Sequence, residues 1–259
     1  MNSCKNCDTP FEGNFCNNCG QKLITKRFTL KESIGWIINS VFNFDKGFLH
    51  TTRELIIRPG EVIKSFLAGR TIRDAHPFRF VFIWATLSAL IGVYLNIYEE
   101  SGLAINRLAG QSEEQLERSR QVMVIMKQYM SFVMMGIIPF IALGTYLVTR
   151  RKGLNYAEHL ILIAYGNGSS IAINLPILLS FLFIEDTSSL SLISFVLGII
   201  IMGRVLAQTV DDNIIIGILK YALGFLIGII SMMITFTIVM MIVLLSMKLL
   251  GMPNPFAPA

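Results

Sequence analysis

Five long runs of residues without a charged side chain constrain the fold of this chain more than any other feature. A helix needs roughly 18 or more apolar residues to cross about 30 Å of hydrocarbon. The runs cover residues 80–98, 128–149, 160–184, 187–203 and 221–247. Because 53% of all residues are hydrophobic and only 15% are charged, a soluble domain could not bury so much apolar surface. We therefore predict an all-α polytopic membrane protein with about five transmembrane helices.

The fourth and fifth runs leave the number of crossings open between four and six. The fourth run is the shortest and contains several serines, whereas the fifth is long for one crossing and too short for two. A single tilted helix accommodates such an excess of length. We predict four regions along the chain, namely a cysteine module over 1–24, juxtamembrane helices over 25–79, a transmembrane domain over 80–252 and a tail over 253–259.

The distribution of basic residues predicts the orientation of these spans. Lys and Arg concentrate before the first run and at 150–152, whereas the loops at 99–127 and 185–186 are richer in acidic residues. Since cytoplasmic loops carry the excess of Lys and Arg, we predict a cytoplasmic N-terminus in a plasma (inner) membrane. Residues 1–27 are polar and do not fit a signal peptide, which agrees with this orientation.

The chain has four cysteines, arranged as two Cys-x-x-Cys pairs, Cys4 with Cys7 and Cys16 with Cys19. Reduced thiols in this pattern hold metal more often than they form disulfides. Four thiolates suit one tetrahedral Zn2+ and leave no open position for water. We therefore predict a short ribbon with structural zinc, the alternatives being an iron site, disulfides or no metal.

The residue after each cysteine pair differs between the two predicted knuckles. Gly20 follows the second pair and suits a tight turn that brings its backbone N–H towards a thiolate, whereas Asp8 follows the first pair and breaks the symmetry. The aromatic residues Phe11 and Phe15 alone cannot provide a core, so metal binding would fold the module.

The segment between the cysteines and the first span predicts helices at the membrane surface. Apolar residues recur near helical spacing over 30–44, with Thr29 as a candidate N-cap. This helix suits either the headgroup region or packing against the spans. Further along, Pro59 should end one short helix and open the next, giving a bent pair that ends at Gly69.

A dense group of basic residues in this segment is a candidate site for anionic lipid headgroups. Each basic residue near the surface attracts such lipids by about 1 kcal/mol, although the ordinary orientation signal explains the same residues. The group consists of Arg53, Arg58, Lys64, Arg70, Arg73 and Arg79.

Polar residues in the third run form the candidate intramembrane site. Glu158 and His159 lie at its start, and Asn167 and Asn174 lie in its interior near Pro176. Polar groups at bilayer depth face protein or a water-filled cavity. A broken helix suits a transport site, but hydrogen bonds between helices explain the same residues.

Two glycines in the fifth run, Gly224 and Gly228, form a Gly-x-x-x-Gly pattern that permits close helix packing. The pattern suggests a homo-oligomer formed through these residues. A nucleic-acid partner is not expected, because the charge clusters at the ends of apolar runs.

The first 100 residues resemble a bacterial family of membrane proteins defined by a domain of unknown function. The similar residues, besides the cysteine ribbon, are Asp45, Gly47, Phe48, Thr51, Leu55, Arg58, Pro59, Gly60, Leu67, Gly69, Arg70, Pro77, Phe78 and Arg79. The resemblance implies an inner-membrane protein with a zinc ribbon and implies no activity. The predicted five-span layout is also similar, in topology alone, to the Yip1-type proteins of vesicle traffic.

Two functions of different class follow from these features. The sequence contains no phosphate-binding glycine loop, nucleophile elbow or His-Glu-x-x-His helix, so we do not expect an enzyme. The first hypothesis is a scaffold or sensor whose cytoplasmic ribbon and basic helices bind a protein or anionic lipid. The alternative is a small transporter or lipid carrier centred on the polar third span.

Overall fold

The computed structural model describes residues 2–23, 47–95, 110–127, 129–184 and 187–249, together with positions 97 and 106. The helix predicted over 30–44, its cap at Thr29 and the tail at 253–259 lie outside the described residues. The described chain is mostly helical, with two very short strands near its start.

The strands are β1 (Asn2–Ser3) and β2 (Pro10–Phe11), which pair antiparallel. The helices are α1 (Phe48–Ile57), α2 (Pro59–Leu67), α3 (Pro77–Tyr94), α4 (Glu113–Lys127), α5 (Met130–Gly136), α6 (Ile138–Thr149), α7 (Tyr156–Ser180), α8 (Thr187–Val210) and α9 (Ile214–Leu249). A 3-10 turn, Arg150–Lys152, follows α6.

Five helical segments in the described chain are long and apolar enough to cross a membrane, which confirms a multi-pass membrane protein. They are Pro77–Tyr94, Phe132–Lys152, Tyr156–Ser180, Ser189–Val210 and Ile214–Ser246. Their ends differ from the predicted ones because helices continue through charged residues, such as Arg79 in α3, Arg204 in α8 and Lys220 in α9. A charged side chain does not end a helix where it finds a partner in the protein, as Arg204 does at the Ile56 carbonyl and Lys220 does at Asp212.

The second span is made of two helices rather than one. α5 ends at Gly136 and α6 begins at Ile138, with Pro139 in its first turn. Proline has no backbone N–H and is tolerated in the first turn of a helix. The break between α5 and α6 therefore lies where the missing backbone N–H of Pro139 costs the least stability.

Helix α7 is the centre of the bundle. Six consecutive side chains, from Leu160 to Tyr165, are buried, and a helix that is buried on all sides must be surrounded by others. It contacts α3, α6 and α8, while α9 packs on α6 and α8. This arrangement leaves much of α9 exposed, and it is the least buried of the five spans.

Glycines bring α6 and α9 into close contact. A Cβ added to Gly144 would lie 1.9 Å from the backbone oxygen of Gly224, and one added to Gly228 would lie 2.8 Å from the backbone oxygen of Phe140. Gly224 meets the backbone of Thr145 in the same way. The two glycines from which the sequence suggested self-association thus face a helix of their own chain.

At one end of the bundle, α1 and α2 pack against α7 and α8. The bent pair predicted around Pro59 is confirmed, since Pro59 is the first residue of α2 and Gly69 has a φ of +96° just after it. The Arg204 guanidinium of α8 donates to the Ile56 and Ile57 carbonyls at 3.0 and 2.7 Å. These carbonyls belong to the last turn of α1, which lacks internal donors.

Ion pairs tie the loops together at this same end. The Asp212 carboxylate accepts hydrogen bonds from Lys152 at 2.5 Å and from Lys220 at 2.7 Å, and these bonds lower its pKa. Lys64 of α2 pairs with Asp211 at 2.5 Å. We call this side of the molecule the charged end.

Candidate metal centre and juxtamembrane pocket

The structure brings the four cysteines together at one point. All four sulfur atoms lie within 4.8 Å of one another, and the Cys4–Cys19 and Cys7–Cys16 sulfur pairs are each 3.6 Å apart. A tetrahedral zinc with Zn–S bonds near 2.3 Å separates its sulfurs by about 3.8 Å. The four thiols therefore could hold a metal ion, and their spacing fits zinc.

The two cysteine knuckles have the same backbone in spite of their different sequences. The amide of Asp8 donates to the Cys4 carbonyl at 2.9 Å, and the amide of Gly20 donates to the Cys16 carbonyl at 2.8 Å. Both residues have a left-handed φ, +57° for Asp8 and +74° for Gly20, which Asp tolerates better than most side chains. The expected asymmetry is therefore absent from the backbone, and the Gly20 amide bonds a carbonyl rather than a thiolate.

The module has almost no core besides its sulfur atoms. Cys4, Cys16 and Phe11 are buried, whereas Phe15 is 58% exposed. Two strands of two residues each cannot hold such a module together, because short ribbons are marginal in water. A metal bound by four thiolates would supply the missing free energy of folding.

Gln21 fastens the cysteine module to the turn that follows α2. Its side chain is only 2% exposed, and its Nε2 donates to the Gly69 carbonyl at 2.9 Å and to the Thr71 hydroxyl at 3.0 Å. Its Oε1 accepts from the Thr71 amide at 3.1 Å. Sequence analysis missed Gln21, since a polar residue after a knuckle glycine gives no signal of burial.

Arg70 adds a second connection between the module and this turn. Its Nε donates to the Lys5 carbonyl at 2.8 Å, and Lys5 lies between the first two cysteines. The cysteine module and the turn at 69–71 are thus joined through both Gln21 and Lys5.

Next to this turn lies a small polar cavity of about 170 Å³, which we call the juxtamembrane pocket. It is formed by α1, α2 and the segment between α2 and α3. Its lining residues are Glu54, Arg58, Glu61, Val62, Ser65, Arg70, Arg73 and Asp74.

Ion pairs organise one side of the juxtamembrane pocket. Arg58 contacts Glu54 at 2.5 Å and Glu61 at 3.2 Å, and the hydrogen bond from Arg58 lowers the pKa of Glu54. Arg73 donates from Nε to His50 at 3.2 Å and lies 4.0 Å from Glu54. On the other side, burial raises the pKa of Asp74.

The six basic residues predicted to bind headgroups have different surroundings. Arg58, Arg70 and Arg73 line the pocket, Lys64 pairs with Asp211, and Arg53 is exposed on α1. Arg79 is only 6% exposed, because it lies in the first turn of α3 rather than before the span. A guanidinium buried in this way does not present its charge at the surface, so the six do not form one basic face.

Glu158 and His159 stabilise the start of α7. The Glu158 amide donates to Asn155 Oδ1 at 2.9 Å and the Asn155 amide donates to Glu158 Oε2 at 2.8 Å, which is a capping box. The buried His159 ring forms hydrogen bonds with the hydroxyls of Thr145 at 3.3 Å and Thr149 at 3.2 Å. Glu158 thus caps the start of α7, and His159 joins α7 to α6.

Asn167 and Asn174 lie together, away from Glu158 and His159, at a cavity of about 520 Å³ inside the bundle. Asn174 Nδ2 donates to the Ser170 carbonyl at 3.0 Å. Its Oδ1 is buried and has no hydrogen-bond partner among the described residues. The polar residues of this cavity, which is otherwise apolar, are Ser88, Asn167, Ser170, Asn174, Ser191 and Ser194.

Part of this chain is similar to a known family model. A family model described as "Protein of unknown function (DUF3667)" matches residues 45–89, which supports the predicted resemblance to a family of unknown function. The matched segment contains every residue of the juxtamembrane pocket and excludes the cysteine module. Neither curated proteins nor solved structures give a match to this chain.

Proposed function

We propose that this protein is a non-enzymatic membrane scaffold or sensor, and that its working part is the cysteine module docked on the juxtamembrane helices. One observation supports the proposal most, namely the hydrogen bonds of buried Gln21 to Gly69 and Thr71. A module that served only as a tethered appendage would not need a buried side chain at this junction. The fixed position gives a partner one composite surface made of module and helices.

The proposal includes structural Zn2+ bound by Cys4, Cys7, Cys16 and Cys19. Four thiolates complete the tetrahedral shell, so the metal would hold the module in shape and leave no position for a substrate. Following the distribution of basic residues, we place the charged end and the N-terminus on the cytoplasmic side of an inner membrane. A protein partner then approaches from the cytoplasm.

Proximity labelling in the native membrane tests this function. The full chain is compared with a Cys4→Ser/Cys7→Ser variant of equal abundance, in which we expect both the bound zinc and a defined set of labelled proteins to disappear. The matched control is Ser3→Ala/Asn18→Ala, which changes the same module without removing a thiol. An unchanged set of labelled proteins in the cysteine variant would refute the scaffold function, and zinc retained at the level of the unmodified chain would refute the metal assignment.

A second candidate function rests on the cavity lined by Asn167 and Asn174. The Oδ1 of Asn174, which has no partner among the described residues, would accept a hydrogen bond from a ligand. Pro176 interrupts the hydrogen bonding of α7 close by. These features suit a small transporter or lipid carrier.

The carrier function predicts that Asn174→Leu removes transport while the bundle stays folded. Ser180→Ala, which lies further along α7 and outside this cavity, is the control. If the cysteine module were removed and function remained, the carrier would be favoured over the scaffold.

A further inference from the structure

The juxtamembrane pocket has a balance of charge that an anion-binding site would not have. Three of its lining residues carry guanidinium groups, Arg58, Arg70 and Arg73, and three carry carboxylates, Glu54, Glu61 and Asp74. A simple phosphate site concentrates positive charge. A ligand that suits this pocket must therefore carry both signs of charge.

Asp74 provides the negative side of the site. The residue is 6% exposed, lines the pocket, and its Oδ1 is buried with no hydrogen-bond partner among the described residues. A buried polar atom left without a partner costs about 1–3 kcal/mol. A ligand N–H group that reached the Asp74 carboxylate from the pocket, by displacing the atoms that cover Oδ1, would remove this cost.

Arg70 and Arg73 provide the positive side. Their described hydrogen bonds use Nε, which donates to the Lys5 carbonyl from Arg70 and to the His50 ring from Arg73, while one terminal NH2 of Arg73 lies 4.0 Å from Glu54. The terminal NH2 groups of a guanidinium form the fork that binds phosphate. Ser65, which also lines the pocket, adds a hydroxyl.

The position and size of the pocket restrict the ligand further. Asp74 lies just before Pro77, where the first membrane-spanning helix begins, so the pocket lies close to the end of a span. Its volume of about 170 Å³ suits a lipid headgroup but leaves no room for the acyl chains. These chains would remain in the bilayer.

We propose that the juxtamembrane pocket binds an ammonium group beside a phosphate, the chemistry of phosphoethanolamine, with Asp74 accepting from the ammonium and Arg70 and Arg73 donating to the phosphate. This deepens the proposed scaffold function, on which it rests, by naming a ligand of the helices that carry the cysteine module. This ligand differs from the anionic lipid headgroups expected from the sequence, because it carries both signs of charge.

Choline provides a sharp chemical comparison. Its quaternary ammonium carries the same charge as ethanolamine but has no N–H to donate. If Asp74 requires a donor, phosphatidylethanolamine will bind and phosphatidylcholine will not. If the arginines alone attract the lipid, the anionic phosphatidylglycerol will bind best.

The experiment uses the full chain in detergent, with an equimolar mixture of phosphatidylethanolamine, phosphatidylcholine and phosphatidylglycerol, and counts retained lipid by native mass spectrometry. We expect the unmodified chain to retain phosphatidylethanolamine about tenfold more than the other two, which is about 1.4 kcal/mol. Asp74→Asn and Arg73→Gln should each remove this preference. Glu117→Gln and Arg118→Gln, exposed changes on α4, should keep it.

A second arm uses soluble phosphoethanolamine and phosphocholine, with the melting temperature as the readout. Stabilisation by soluble phosphoethanolamine without retention of the lipid identifies a free ligand as the source, whereas retention of the lipid identifies a membrane headgroup. Equal retention of all three lipids, a preference for phosphatidylglycerol, a preference that survives Asp74→Asn, or no binding of any probe overturns the proposal. Failure here leaves the cysteine-dependent labelling untouched, so the two proposals can fail separately.

Discussion

At the scale of residues, the sequence predicted the cysteines of the candidate metal centre, because their spacing is local. Two Cys-x-x-Cys pairs bring their own thiols together because each knuckle closes within a few residues. Gln21 has no such signal, because its bond to Gly69 joins positions 48 residues apart. Its burial depends on how the module docks, which spacing along the chain does not encode.

Gln21→Ala should loosen the module without removing its metal. The change deletes four hydrogen bonds, three of them across the junction, and leaves the half-buried Thr71 amide and the buried Gly69 carbonyl without these partners, a loss of about 1–3 kcal/mol at the junction. We expect faster amide hydrogen exchange at Thr71 with zinc content unchanged. Gln115→Ala, which alters an exposed contact on α4, is the control. Slow exchange at Thr71 in the Gln21 variant would show that Gln21 does not fasten the module to this turn.

Asp74 should make the stability of the protein depend on pH in a defined direction. Burial raises the pKa of this carboxyl in the folded state, whereas the unfolded pKa is about 3.9. The folded state therefore holds the proton more tightly, so stability is highest below the unfolded pKa and falls as pH rises through the folded pKa.

Replacement by the neutral amide removes this loss, so Asp74→Asn should raise the melting temperature more at pH 7 than at pH 4. Thermal unfolding of the purified chain at both pH values measures the difference. Asp211→Asn, a change to an exposed carboxylate, is the control. A variant that is less stable than the unmodified chain at pH 7 would show that Asp74 is already satisfied in the folded state.

At the scale of elements, the apolar runs predicted the five spans because a bilayer demands long apolar helices whatever their packing. The ends of the spans were harder to predict. Arg204 lies inside α8 and binds the last carbonyls of α1, so a charge that appeared to end a span instead joins two helices. The break between α5 and α6 was also missed, since an apolar run with one proline looks continuous.

The close packing of α6 on α9 can be tested by adding a single methyl group at the contact. Gly144→Ala would place a Cβ 1.9 Å from the Gly224 oxygen, so the helices must separate, and overpacking of this kind typically costs about 1–3 kcal/mol. Gly136→Ala is a matched control in the same span, because a Cβ there meets nothing within 4 Å. Thermal unfolding in detergent should show a lower melting temperature for the first variant alone, and equal values would contradict this packing.

At the scale of the whole molecule, the charged end unites features that are far apart in the sequence. Lys152, Asp212 and Lys220 come from three separate segments and meet there, on the same side as the juxtamembrane helices. A span has its two ends on opposite sides of the membrane, so α4, which lies between the spans Pro77–Tyr94 and Phe132–Lys152, is on the side opposite the charged end. If the charged end faces the cytoplasm, α4 must face outward.

A membrane-impermeant maleimide tests this orientation in sealed right-side-out vesicles. We expect Glu114→Cys, at an exposed position on α4, to be labelled in intact vesicles, because its thiol would lie outside. Arg151→Cys at the charged end should be labelled only after the vesicles are opened. The native thiols Cys4, Cys7, Cys16 and Cys19 provide an internal control, since they should stay unlabelled until the vesicles are opened and the metal is removed. Labelling of Arg151→Cys in intact vesicles would reverse the orientation and place the module and its pocket on the outer face.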